Sequence, residues 1–154
     1  MTELHGCIYA FLDPKVDRDG NFPIFYGNPM SRIFILIAAI SGFLSVAIGA
    51  FAAHKLKQQL SPELLQIMQT GVQYQMYHAL ALLGVGILWQ SKPAYTGLKA
   101  SGLAFILGSL FFSGSLYALA LGAPRGLGVV TPIGGLCFLL GWLLLIRAVL
   151  RVKP

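Results

Sequence analysis

Three strongly apolar stretches of this chain run for twenty residues or more without a charged side chain: Ile33 to Ala53, Ala100 to Ala123 and Leu127 to Ile146. As α-helices each is about 30 Å long or longer, which is the thickness of a bilayer's hydrocarbon core. A water-soluble domain of 154 residues has no interior large enough to hide three such rods. Charged residues make up 10% of the chain, against about a quarter in soluble domains, too few to clothe a water-facing surface. A fourth segment, Gly71 to Trp89, carries Gln73, Gln75 and His78 in its first half but also reads as a span. With only three spans the termini fall on opposite sides, which suits the charges less well. The expected fold is therefore an all-α membrane protein, a four-transmembrane-helix bundle with spans at about 33–53, 71–89, 100–123 and 127–146.

The charges set the orientation. Four of the five acids (Glu3, Asp13, Asp17, Asp19) precede Gly20; from there on nine Lys/Arg face Glu63 alone. These positive residues flank apolar runs and form no basic stripe, so nucleic-acid binding is a poor reading. By the positive-inside rule, the N-terminal side (Lys15, Arg18, Arg32), the second loop (Lys92, Lys99) and the C-terminus (Arg147, Arg151, Lys153) hold eight positive charges. The opposite face holds three, Lys55, Lys57 and Arg125. Both termini are expected in the cytoplasm.

Residues 1–29, with Pro14, Pro23, Pro29 and the turn-like Asp17–Asn21, read as a poorly ordered extension ahead of a 30–154 membrane domain. They lack the basic start, apolar core and small-residue cleavage site of a secretory signal. Met30 offers a second candidate start. Ser61-Pro62-Glu63 is a helix opening, with a hydroxyl cap, Pro at the first position and an acid at the positive helix end. A helix running straight from there to Trp89 exceeds what the hydrocarbon core needs. The sequence therefore predicts a short interfacial helix on Leu64, Leu65 and Met68, with a bend near Gly71. Cys7 and Cys137 lie in dissimilar surroundings and no disulfide is expected.

Helices in lipid associate through close backbone approach and polar contacts. Ser41, Ser45, Gly49 and Ala53 recur every four residues; Gly114, Ala118 and Gly122 share that spacing, beside Ser109 and Ser113; Gly134 and Gly141 are seven apart. Helix packing accounts for these, and a pore lined by small residues is the alternative.

The segments Arg32–Phe43, Gly49–His54, Gln69–Gln75 running to His78–Leu82, Phe112–Tyr117 and Val130–Gly135 together resemble the YgdD-like family, small four-span bacterial inner-membrane proteins without an assigned function. The likeness covers Met30 to about Arg151. Ala52 departs from it, the family having Gly there more often. The resemblance implies an inner-membrane location and a bundle; it brings no reaction, ligand or functional residue.

Polar residues inside a span are costly and often functional. On the expected topology His54, Gln73, Tyr74, Gln75, His78, Tyr117, Arg125 and Thr131 gather in the outer half of the bundle. Two accounts stand: a polar cluster (His54, Gln75, His78, Tyr117, Arg125, Thr131) whose members tie helices together, or a small-ligand pocket open to the periplasm. Specific chemistries fare worse. No Asp or Glu lies in a predicted span for a proton relay. His54 and His78 without Cys or acid ligands are a weak metal or haem signal, and Ser113 and Ser115 lack a base and acid. Gly134-Gly135 lacks the rest of a phosphate loop. The expectation is a non-enzymatic accessory or structural membrane protein without cofactor or metal, its partners being the lipid bilayer and either itself or another membrane protein. An oligomeric small-solute or ion pathway is the rival.

Overall fold

The computed structural model describes residues 29–91 and 96–151. Residues 1–28 of the expected extension, with Cys7, and also Lys92 and Lys153 lie outside them, whereas Pro29 opens the first helix. Within them the chain is a succession of helices without a strand: α1 (Pro29–His54), α2 (Pro62–Ser91), α3 (Leu98–Ala120) and α4 (Val130–Leu150). Short 3₁₀ turns, Leu56–Gln58 and Arg125–Val129, lead from α1 toward α2 and from α3 into α4. Among the described residues, three helices are long and apolar enough to cross a membrane: α1, α3 and α4, the first and last taken with their adjoining turns.

Helix α2 begins where its sequence says. The Ser61 hydroxyl accepts the Leu64 N–H at 3.3 Å. The Glu63 carboxyl is held below its usual range by its own backbone N–H and by the Ser61 hydroxyl. No break separates an interfacial helix from the span: Pro62–Ser91 is one continuous helix of 30 residues, about 45 Å along its axis. Gly71 serves close packing. A methyl there would come within 2.7 Å of the Tyr117 ring, so the glycine lets α3 approach.

The helices pack in chain order, α1 on α2, α2 on α3 and α3 on α4. Phe34, Leu82, Val85, Trp89, Leu98, Phe105 and Phe138 form the main core. A smaller cluster of Ala52, Leu56, Met68 and Ala120 closes the opposite end. Large apolar side chains such as Leu36, Phe43 and Val46 on α1 and Leu136, Leu139 and Leu143 on α4 stand exposed. That much outward apolar surface is normal against acyl chains and unusual against water.

Two packing expectations are corrected. On α1 the buried positions are Ser31, Phe34, Ala38, Ser45 and Ala52, while Ala53 is exposed. A four-residue repeat drifts about 40° per step on a 3.6-residue helix, so Ala53 leaves the face that Ser41 and Ser45 begin. Ala52, the departure from the family pattern, is fully buried against the smaller cluster. On α3 Gly114 has open space beside it. Residues Ser109–Ser113 form a π-helical turn, whose additional residue rotates everything after it. Ser113, not Gly114, is turned inward, and Ala118 is half-buried. Gly122 ends the helix with φ +94. On α4, Gly134 abuts the Phe112 backbone, and a methyl on Gly141 would come within 2.6 Å of the Phe105 ring. Both are sites where α3 and α4 close on one another.

Candidate functional site

The register of α1 on α2 fixes the height of the polar residues. The Ser45 hydroxyl donates to the Val72 carbonyl at 2.8 Å, and the Gln75 amide donates to the Ser41 carbonyl at 3.0 Å. Phe43, the midpoint of the charge-free run on α1, is therefore level with Tyr74. On the other side Tyr74 stacks on Phe112, with ring centroids 4.6 Å apart, close to the midpoint of the apolar run on α3. The polar residues of α2 thus ride at mid-height, deeper than the outer half expected for them. The reason is that α2 starts at Pro62, more than two turns before Gly71.

At that height Gln75 links three helices. Its amide holds Ser41 on α1, and its carbonyl oxygen accepts the Tyr117 hydroxyl of α3 at 2.7 Å. Toward the end that carries His54 and Arg125 the Ser115 hydroxyl donates to the Phe112 carbonyl at 2.9 Å and accepts from Thr131 on α4 at 2.7 Å. Nearer the opposite end the Ser101 hydroxyl donates to the Gly141 carbonyl at 2.8 Å. One hydroxyl breaks the pattern: Ser113 Oγ, buried on the π turn, finds no partner among the described residues.

His78 is 6% exposed. Its Nδ1 lies 2.8 Å from the Tyr74 carbonyl and its Nε2 3.3 Å from the indole nitrogen of Trp142. A carbonyl only accepts and an indole N–H only donates, so these partners select the neutral ring protonated at Nδ1. The imidazole lies against Phe138, with Phe105 5.6 Å away. His78, Phe138, Tyr74 and Phe112 line a groove of about 600 Å³ between α2 and α4, together with Gly135 and Trp142.

The fold therefore brings Gln75 and Tyr117 together, and Thr131 onto Ser115, with His78 one turn further along α2. It leaves His54 and Arg125 apart, both exposed at the end of the bundle away from the termini. Sequence reasoning missed Phe138 and Trp142 as partners of His78. The available signal was their four-residue spacing on α4, which sets both rings on one face.

No three His, Cys, Asp or Glu side chains among the described residues group as a metal site. Comparison with known proteins adds a family. The model for a protein family of unknown function, DUF423, matches residues 48–135. A UPF0382 membrane protein of Staphylococcus epidermidis is 42% identical over 120 residues, covering 78% of this chain and 97% of the relative. The UPF0382 inner membrane protein YgdD of Escherichia coli is 42% identical over 123 residues, covering 80% of this chain and 93% of the relative. No solved structure matches. With a family model across more than half its length and relatives aligned almost end to end, this chain belongs to the DUF423 (UPF0382) family of membrane proteins.

Proposed function

We propose that this is a four-span inner-membrane protein with both termini in the cytoplasm, acting without catalysis as a structural or accessory component of the membrane. The observation that carries this reading is the use made of the interior polar groups. Gln75, Tyr117, Ser45, Ser101, Ser115 and Thr131 are bonded from helix to helix, which is how small bundles in lipid are tied. Counting α2 as the fourth span follows from its length and from its place between α1 and α3, where Gln75 and His78 face protein. Relatives named as inner membrane proteins support the location. Reporter fusions test the topology: one after Leu150 and one between α2 and α3 should report cytoplasm, and fusions near Lys57 and Arg125 the periplasm. A periplasmic C-terminus refutes the topology. Reproducible turnover of a substrate by the purified protein, abolished by His78→Gln, refutes the non-catalytic role.

The groove between α2 and α4 favours a second reading, the binding of a lipid-soluble molecule with a flat ring. Its walls are aromatic faces, and at this height its mouth meets acyl chains instead of water. Gly135→Leu would fill it, since a first methyl there meets nothing closer than 3.9 Å. Lipid analysis of the purified wild type and this variant decides: a molecule lost only from the variant supports binding, and identical profiles refute it.

A further inference from the structure

About a quarter-turn around α2 from that groove, with the Tyr77 ring 6.2 Å from that of Tyr74, one polar pair faces outward. The Gln73 amide donates to the Tyr77 hydroxyl at 2.7 Å, and both residues are exposed, Tyr77 by 53%. Given the register of Ser41 and Ser45 on α2, this pair sits at the height of Phe43, the middle of the α1 apolar run. On the four-span reading, on which this inference rests, that is the middle of the bilayer. The bond leaves the Gln73 carbonyl oxygen, its second amide hydrogen and the Tyr77 hydroxyl hydrogen still to be satisfied. Acyl chains offer them nothing.

The surface around the pair is indented. Between α1 and α2 two adjoining hollows, of about 520 Å³ beside Gln73 and about 400 Å³ beside Gly42, share Val46 and Met76. The pair flanks the first. Gly42 is not consumed by packing within the chain, for a methyl on it would meet nothing within 4 Å. The face thus has room for close approach of another helix, beside donors and acceptors that need a partner.

We propose that a second copy of this chain docks on the α1–α2 face, so that across a two-fold axis the Gln73–Tyr77 pair of each copy hydrogen-bonds with that of the other. The chemistry singles out this occupant. The pair presents unspent donors and an unspent acceptor together, so it is complementary to itself, as a two-fold interface requires. A lipid tail fills the hollows and leaves those groups bare.

The test uses the full chain in liposomes, with oligomeric state read by single-molecule subunit counting as protein is diluted in lipid. Wild type should be dimeric. Gln73→Leu with Tyr77→Phe should weaken the dimer about tenfold, the scale of two modest interhelical hydrogen-bond sets. Gly42→Leu should give monomers with an undiminished melting temperature, because the chain itself has room for the side chain. In a background of Cys7→Ser and Cys137→Ala, Val46→Cys should form an oxidative cross-link at twice the monomer mass, and Leu139→Cys on α4 should not. A wild type that is monomeric at every dilution, a dimer untouched by Gly42→Leu, or a cross-link to a chain of another mass overturns the proposal. Failure of the four-span reading has its own signature: Gln73→Cys would react with a water-soluble maleimide. If it stays unreactive and the protein is monomeric, the span holds and the dimer alone is refuted.

Discussion

His78 lies flat on Phe138, ring centroids 3.4 Å apart and planes within 8°. Those two rings join α2 to α4, whose backbones otherwise stay apart across the aromatic groove. His78→Leu should lower the melting temperature of the detergent-solubilised protein, by about 1–2 kcal/mol of stability for the lost stacking and the lost indole acceptor. His78→Gln, which retains a donor and an acceptor, should be milder. With Trp89→Phe as background, the emission of Trp142 should shift on His78→Leu. Unaltered melting and emission in both variants would mean that the contact carries no weight.

Gln75 and Tyr117 share a bond between α2 and α3, so their substitutions should not add. Gln75→Leu strands the Tyr117 hydroxyl and frees the Ser41 carbonyl, and should cost about 1–2 kcal/mol; Tyr117→Phe should cost about half as much. The double variant should be less harmed than the two losses together. Strict additivity in thermal melts counts against a shared bond.

The glycines should sort by neighbour. Gly134→Leu and Gly141→Leu drive a side chain into Phe112 and Phe105 and should abolish the folded, monodisperse protein. Gly114→Leu, with open space beside it, should elute and melt like wild type. Size-exclusion profiles in detergent separate the outcomes.

The serines should divide in the same way. Ser101→Ala removes a buried donor from the Gly141 carbonyl and should cost about 1 kcal/mol. Ser113→Ala removes a hydroxyl with no partner among the described residues and should be neutral or stabilising. A loss at Ser113 equal to that at Ser101 would show that the hydroxyl is bonded in the membrane, and a water on the π turn is the first candidate.

The long apolar, charge-free runs made α1, α3 and α4 legible, because such length without polar groups has few other uses. The opening of α2 was legible too, since Ser61, Pro62 and Glu63 each act locally. What escaped was relative height and rotation. Nothing near Gly71 in sequence announces Tyr117 beside it, so the close approach of α3 that this glycine permits was not legible there. The π turn at Ser109–Ser113 likewise has no local signature, and without it Gly114 falls on the wrong face. Of the polar residues singled out, Gln75, Tyr117, Thr131 and His78 are bonded inside the bundle, whereas His54 and Arg125, grouped with them only by topology, lie exposed at its end.

Among the described residues, α2 is the one long helix too polar to qualify for membrane crossing by length and composition. On the four-span reading this has a consequence for biogenesis. As the chain leaves the ribosome, α2 on its own gains too little from partitioning into lipid to offset Gln73, Gln75 and His78. It enters as the second arm of a hairpin with α1, whose Ser41 carbonyl receives the Gln75 amide, and it is completed only when α3 delivers Tyr117. A nascent chain that stops after Ser91 should therefore be held loosely in the membrane and remain a substrate for quality-control proteases until the third helix arrives.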